Sequence, residues 1–257
     1  MKLNIPAKGN KKLEQVIARA DRDAELAELW KASNVMAIDR LGFNDHGPMH
    51  VKISANISLK ILRIFLEADR VPSIVKDHRM TNDDAEVVVV LASLLHDIGH
   101  AVHRENHELF SVQLAIPIIQ RLLRNIYDTA SLSIVQGETL HAIYSHTSGI
   151  VPHTLEAGIV KIADALDMER GRARIPFHAG SVNIHSVSAM AIDKVEIRPG
   201  SDRVLEIEIK MSNSAGIYQI DDLLRERIAE SGLAKDTSVI VQIAGEERKI
   251  IEKKIEI

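Results

Sequence analysis

Apolar residues in the first part of the chain recur at intervals of three and four positions. This spacing predicts amphipathic helices from Lys11 to about Leu41 and again from near His50 to Phe65. Asn44, Asp45, Gly47 and Pro48 form a turn cluster between them, so the sequence predicts that His50 lies in the first turn of a helix.

A longer apolar run, AEVVVVLASLLHDIGH, occupies residues 85–100. Four consecutive valines favour a strand, but the length of the run, its Ala-Leu content and the N-cap candidates at 81–84 favour a buried helix. Further helices are predicted at about 105–125, 131–146 and 154–170. No segment up to about residue 175 predicts a strand.

The pattern changes after Ile175-Pro176, where apolar and polar residues begin to alternate. Residues 191–199 and 204–212 predict two strands, 218–233 predict an amphipathic helix ending at Gly232, and 238–245 and 247–257 predict two more strands. The expected fold is therefore mainly α, with a helical domain at 1–176. A small α+β domain of order β-β-α-β-β is predicted at 177–257.

Composition narrows the chemistry that the chain can perform. With no cysteine, thiolate zinc sites and a cysteine nucleophile are excluded, so any metal must bind through His, Asp or Glu. The net charge is −4, and residues of both signs are interspersed along the chain, so the sequence shows no basic surface for binding long nucleic acid. No apolar run approaches the ~18–20 residues of a membrane span, and the polar start lacks a secretory signal pattern, so a cytoplasmic protein is expected.

The sharpest chemical feature is the pair His96-Asp97 at the end of the long apolar run. A buried carboxylate there needs a cation, hydrogen bonds or water. A lone His-Asp pair is commonly a helix cap. This pair is accompanied by His50 at a helix start and by Asp164 inside an apolar helical stretch, which together give the order H…HD…D.

From about residue 46 to 170, this ordered set resembles the metal signature of the HD superfamily of metal-dependent phosphohydrolases. The resemblance implies an all-helical bundle in which His50, His96, Asp97 and Asp164 converge on one or two divalent ions. Imidazole and carboxylate ligands suit Mn, Fe, Co, Ni or Zn and, with more carboxylate and water, Mg. The resemblance also implies hydrolysis of a phosphomonoester or phosphodiester by metal-bound hydroxide, with Asp97 in the catalytic centre.

Two further histidines raise the question of a second ion. His107 at one predicted helix start and His146 at another helix end resemble the additional ligands of binuclear family members. Only nine residues separate Asp97 from His107, however, and SHTSGIVPH stands where a GYP motif is expected. The sequence therefore argues against the cyclic-dinucleotide subfamily and leaves one or two ions open.

The other candidate residues are histidines and cations near these motifs. His100 and His103 are expected to be exposed loop residues, the role of His46 is open, and His141 is expected to be packed or solvated. Lys161, three residues before Asp164, is predicted to stabilise the phosphate charge. Arginines near the motifs are alternatives to it, namely Arg104, Arg170, Arg172 and Arg174.

Three functions stay open on the sequence alone. The first is the phosphohydrolase, acting on a small phosphorylated molecule such as a nucleotide. The second is an oxygenase, because a few HD proteins with four histidines and two aspartates hold two irons. The third is a regulatory module that retains the site, with the C-terminal strands binding a partner or forming a homo-oligomer through a sheet edge.

Overall fold

The computed structural model describes residues 2–169 and 184–244, without the side chains of 184–186 and 222. The first range is helical, with π-helical Val35–Arg40 and a short 3₁₀ segment at Ile98–Ala101. Its helices are α1 Lys11–Ala20, α2 Ala24–Asn34, α3 Pro48–Glu67, α4 Ser73–His78, α5 Asn82–Leu95, α6 His107–Leu123, α7 Thr129–Ser145 and α8 Leu155–Ala165. The mainly α prediction is confirmed. Within the described ranges, no helix has the length and apolar character needed to cross a membrane.

Helix α5 is the central element of the bundle. Every residue from Asp84 to Leu95 is buried, and α1, α3, α7 and α8 pack around the helix. A capping box between Thr81 and Asp84 begins it, with each side chain bonded to the other residue's backbone N–H. The valine run is helical, as the sequence analysis predicts, because burial on all sides outweighs the weak helix propensity of β-branched residues.

Side chains from two other helices fix the end of α5. The indole of Trp30 donates to the carbonyl of Leu94 over 2.8 Å, and the hydroxyl of Ser33 donates to that of Asp97 over 3.1 Å. Ser111 of α6 donates to the carbonyl of His96 and accepts from the amide of Gly99. These bonds satisfy the backbone groups that a helix end leaves unpaired, and they hold the His-Asp pair in place.

The C-terminal described range adds a three-stranded sheet, so the chain as a whole is not all-helical. Its elements are α9 Ile184–Met190, β1 Ile192–Pro199, β2 Leu205–Met211, π-helical Gln219–Leu224, α10 Arg225–Glu230 and β3 Thr237–Ile243. Strand β1 pairs antiparallel with β2, and β2 pairs parallel with β3. The parallel pairing makes α10 part of a crossover between two strands.

Some of the predicted element boundaries differ from those in the structure, and others lie outside the described residues. The helix predicted at 154–170 ends at Ala165, and the one predicted to end at Gly232 begins as a π-helical turn and ends at Glu230. The predicted domain boundary after residue 176 and the fourth strand at 247–257 lie outside the described residues. The sheet and the helices share one apolar core, with α3 in contact with β1 and β2.

We expect Gly99→Ala to destabilise the protein, because the added Cβ would lie 2.0 Å from the backbone carbonyl oxygen of His107 and 2.5 Å from the amide nitrogen of Ser111. The loss of unfolding free energy should be about 2 kcal/mol or more. Gly137→Ala, inside α7 with open space at the same position, is the matched control and should gain about 0.5–1 kcal/mol. Urea unfolding measures both, and equal stabilities would contradict the close approach.

Candidate metal centre

Five helices bring the six sequence-predicted ligand residues into one cluster. His50 lies in the first turn of α3 and His107 opens α6, whereas His96-Asp97 and His146 follow the ends of α5 and α7. Asp164 comes from the last turn of α8. All six side chains are buried or nearly so, and His50 and His96 have no exposed surface.

One group of donor atoms lies deep in the cluster. The Nε2 atom of His50 lies 3.0 Å from Nε2 of His96, 3.3 Å from Oδ2 of Asp97 and 3.2 Å from Oδ1 of Asp164. Two imidazoles and two carboxylates thus face one point, and they form the inner group. The donor set suits a divalent cation.

A second group lies on the other side of Asp97. The Nε2 atoms of His107 and His146 lie 3.1 Å apart, and they are 3.5 Å and 3.7 Å from Oδ1 of Asp97. The Nε2 atom of His100 is also 3.5 Å from that oxygen. These three histidines form the outer group. Because its two oxygens face different groups, Asp97 connects them.

Hydrogen bonds on the far side of the rings orient the histidines. Nδ1 of His96, His107 and His146 lies within hydrogen-bond distance of the backbone carbonyls of Ser93, Arg104 and Ile143, at 2.8, 3.0 and 2.6 Å. A carbonyl only accepts, so each Nδ1 carries the proton and donates it. When a ring is neutral, its Nε2 lone pair faces the cluster, which is the arrangement that a metal-binding histidine requires.

Asp167 orients the ring of His50 in the same way. Its Oδ2 lies 2.7 Å from Nδ1 of His50. A carboxylate in this place raises the basicity of the opposite ring nitrogen. Asp167 follows Asp164 by three residues on the chain, and it holds a predicted ligand in place and is not itself one of the six.

Charge and burial set the protonation states in the cluster. Burial alone would raise the pKa of Asp97, but the charges of His96 and His46 hold it well below its ordinary value. Burial also would lower the pKa of His96, but Asp97 and Asp164 raise it to about 9. Burial lowers the pKa of His146 to about 4 and that of His100 to about 2, so both rings are neutral donors at pH 7.

Two further histidines, His100 and His46, lie beside Asp97. His100 is not an exposed loop residue, because it is 1% exposed. Neither ring nitrogen of His100 has a hydrogen-bond partner among the described residues, and the ring stacks on His107 at 4.2 Å between centroids. His46, whose role the sequence left open, places Nδ1 2.7 Å from Oδ2 of Asp97. Buried nitrogens without partners next to a carboxylate fit a site built for a cation.

Lys161 does not have the position that its predicted role requires. Its ammonium is fully buried and bonds to Glu230 at 2.6 Å and to the carbonyls of Thr147 and Ile150 at 2.6 and 2.8 Å. Three bonds use all three N–H donors of the ammonium, so none remains for a phosphate. The predicted contact with substrate is wrong. The predicted arginines at 170, 172 and 174 lie outside the described residues.

A cleft of about 260 Å³ opens onto the cluster. Its polar lining includes Asp97, Asp164 and the outer group, and two arginines, Arg104 and Arg227, also line it. The C-terminal region contributes apolar and polar wall residues, which are Ala189, Gln219 and Leu223. Sequence reasoning missed Arg227 because 63 residues separate it from Asp164, its partner in the cleft.

Comparison with known proteins is consistent with this geometry. The HD domain family matches residues 50–169. An uncharacterized protein of Methanocaldococcus jannaschii is 44% identical over 216 residues, which cover 84% of this chain and 83% of the relative. Ribonuclease Y of Opitutus terrae is 24% identical over 253 residues, which cover 92% of this chain but 44% of that protein. No solved structure matches.

We expect the double variant His96→Ala/Asp97→Ala to lose all bound divalent metal, because it removes donors from both groups. His107→Ala should lose one equivalent and retain the other, since the inner group stays complete. Elemental mass spectrometry on the purified proteins measures the ratio of metal to protein. His141→Ala is the control, because His141 lies outside the cluster and should retain the wild-type ratio.

The raised pKa of His96 predicts a pH dependence for the metal-free protein. Its folded pKa of about 9 exceeds the ordinary 6.5, so protonated His96 stabilises the fold fully below pH 6.5. This stabilisation is lost as pH rises through about 9. Urea unfolding after chelation should therefore show a stability that decreases between pH 6.5 and 9. His96→Gln should show a smaller decrease, and an equal decrease would assign the effect to other groups.

Proposed function

This chain belongs to the HD domain family, and we propose that it is a metal-dependent phosphohydrolase acting on a nucleotide or a related small molecule. The reaction would be hydrolysis of a phosphomonoester or phosphodiester. The observation that carries the proposal is the arrangement of Asp97, whose two carboxylate oxygens face two groups of histidines at the floor of one cleft.

We assign two ions to the site. The inner group, with His50, His96, Asp97 and Asp164, would hold one ion. The outer group, with His100, His107 and His146, would hold the other together with the second oxygen of Asp97. The donor set supports Mn, Fe, Co, Ni or Zn for histidine-rich positions.

When bound, the ions would supply a water of lowered pKa and neutralise charge on the phosphate. The residues of the chain determine the geometry of this chemistry. Backbone carbonyls and Asp167 hold the imidazoles in one orientation, and burial keeps His146 and His100 neutral. The buried position of the inner group limits access by bulk water, and this strengthens electrostatic interactions at the floor of the cleft.

The dimensions of the cleft support a small substrate. A volume of about 260 Å³ lies just below the usual range of pockets for small molecules, ~300–1,000 Å³. Apolar walls from Met168, Ala189 and Leu223 are next to the polar floor, which suits a phosphate joined to a less polar group. The similarity to a protein named Ribonuclease Y adds short RNA to the substrates that need a direct test.

We expect the metal-loaded protein to hydrolyse at least one member of a phosphoester panel. The panel contains p-nitrophenyl phosphate, bis-p-nitrophenyl phosphate, nucleoside monophosphates, cyclic nucleotides and a short single-stranded RNA. Asp97→Asn should reduce kcat/KM by about 10³-fold or more, because it weakens both groups. His103→Ala is the matched control, since this exposed histidine does not line the cleft and should leave the rate unchanged.

Each outcome of the panel has a distinct meaning. Cleavage of monoesters alone identifies a phosphatase, and cleavage of RNA identifies a nuclease with the same site. Metal bound at the cluster without hydrolysis of any member would contradict the phosphohydrolase and favour a regulatory module.

A further inference from the structure

Helix α10 of the C-terminal region sends one arginine into the cleft. Nη1 of Arg227 donates to the backbone carbonyl of His146, and it lies 3.3 Å from Oδ2 of Asp164. The side chain is 19% exposed and lines the cleft. A residue far along the chain is thus next to two residues of the metal cluster.

Neighbouring contacts fix the position of α10. Glu230, three residues after Arg227, accepts from the buried ammonium of Lys161 at 2.6 Å and from the amide of Gly149 at 3.0 Å. The backbone is equally close, because a Cβ on Gly158 of α8 would lie 2.4 Å from the carbonyl oxygen of Ser231. The buried Lys161 therefore anchors the helix that carries Arg227, and the guanidinium is held in place before any ligand binds.

The same carboxylate serves the ion site and the arginine. Oδ1 of Asp164 faces His50 and His96, whereas Oδ2 faces Arg227. A guanidinium has five N–H donors. Of its three nitrogens, only Nη1 has hydrogen-bond partners in residues 2–169 and 184–244, so Nε and Nη2 keep three N–H groups for a ligand.

The charge of the cleft favours an anion beside this arginine. Once cations occupy the two groups, the carboxylates of Asp97 and Asp164 are neutralised, and Arg227 adds a further positive charge at the wall. The planar fork of a guanidinium matches two oxygens of a phosphate, and such charge-assisted bonds are stronger than neutral ones. The other arginine of the cleft, Arg104, stacks on the ring of Phe43 at 4.0 Å.

We propose that Arg227 binds non-bridging oxygens of the substrate's phosphate, so that the C-terminal region supplies a substrate-binding residue of the active site. The inference rests on the proposed function for the identity of the anion. It also gives Lys161 a role that differs from the predicted one, because Lys161 positions the helix and makes no contact with substrate.

The test compares phosphate binding by four metal-loaded, full-length proteins: wild type, Arg227→Met, Arg227→Lys and Arg225→Met. Inorganic phosphate is titrated into each by calorimetry, so that no turnover is needed. Arg225 is the matched control, because it lies on the same helix with a side chain that is 55% exposed and does not line the cleft. Metal content and thermal unfolding are measured on the same samples.

We expect Arg227→Met to weaken phosphate binding about tenfold or more while metal content stays at the wild-type value. Arg227→Lys should bind with intermediate affinity, because it keeps the charge and loses the fork, and Arg225→Met should bind as wild type does. The lysine variant also preserves the test if the methionine variant folds poorly.

Three results would overturn the inference. These are wild-type phosphate affinity in Arg227→Met, absence of phosphate binding by wild type, and a loss of metal that accounts for the loss of phosphate. Failure of the proposed function is distinguishable from these results. Arg227-dependent phosphate binding without hydrolysis of any panel member would contradict only the phosphohydrolase, and an unchanged kcat/KM in Arg227→Met would contradict only the role of Arg227.

Discussion

The structure depends on the burial of one carboxylate. Asp97 is 2% exposed at the end of an apolar helix, where an ionised carboxylate without compensation is strongly unfavourable. The bundle supplies that compensation with imidazoles from four other segments, on both sides of the carboxylate. The close approach at Gly99 and the hydrogen bonds on the far side of the rings keep these groups in place around the carboxylate.

Local pattern was sufficient to predict the helices, whereas the central ligand residues were predicted from the resemblance of the ordered set His50, His96-Asp97 and Asp164 to the HD signature. The helices could be predicted because they depend on residues that are close in sequence: the spacing of apolar residues, the turn before His50 and the end of the valine run. The helical period also defines the direction in which the last side chains of a helix point. The valine run is instructive, because its length, its Ala-Leu content and the N-cap candidates at 81–84 argued against the strand that four valines favour. Its helical state comes from tertiary packing around all sides of α5.

Features that depend on long-range contacts were not predictable in the same way. The approach of His46 to Asp97, the burial of His100 and the parallel pairing of β2 with β3 require the relative positions of distant segments. Lys161 shows the limit most clearly. The sequence shows that Lys161 precedes Asp164 by three residues, but Glu230, which comes from the C-terminal region, determines where the charge of Lys161 lies.

The different depths of the two donor groups affect the kinetics of ion exchange. His50 and His96 have no exposed surface and do not line the cleft, whereas Asp97, His107 and His146 do. An ion in the inner group would therefore reach the cleft beside Asp97 and Asp164, the two members of its donor set that line the cleft. That ion would exchange more slowly than one in the outer group, whose three histidines all line the cleft. A ligand in the cleft would delay the release of both ions, so that metal exchange would be faster in the free protein than in the complex.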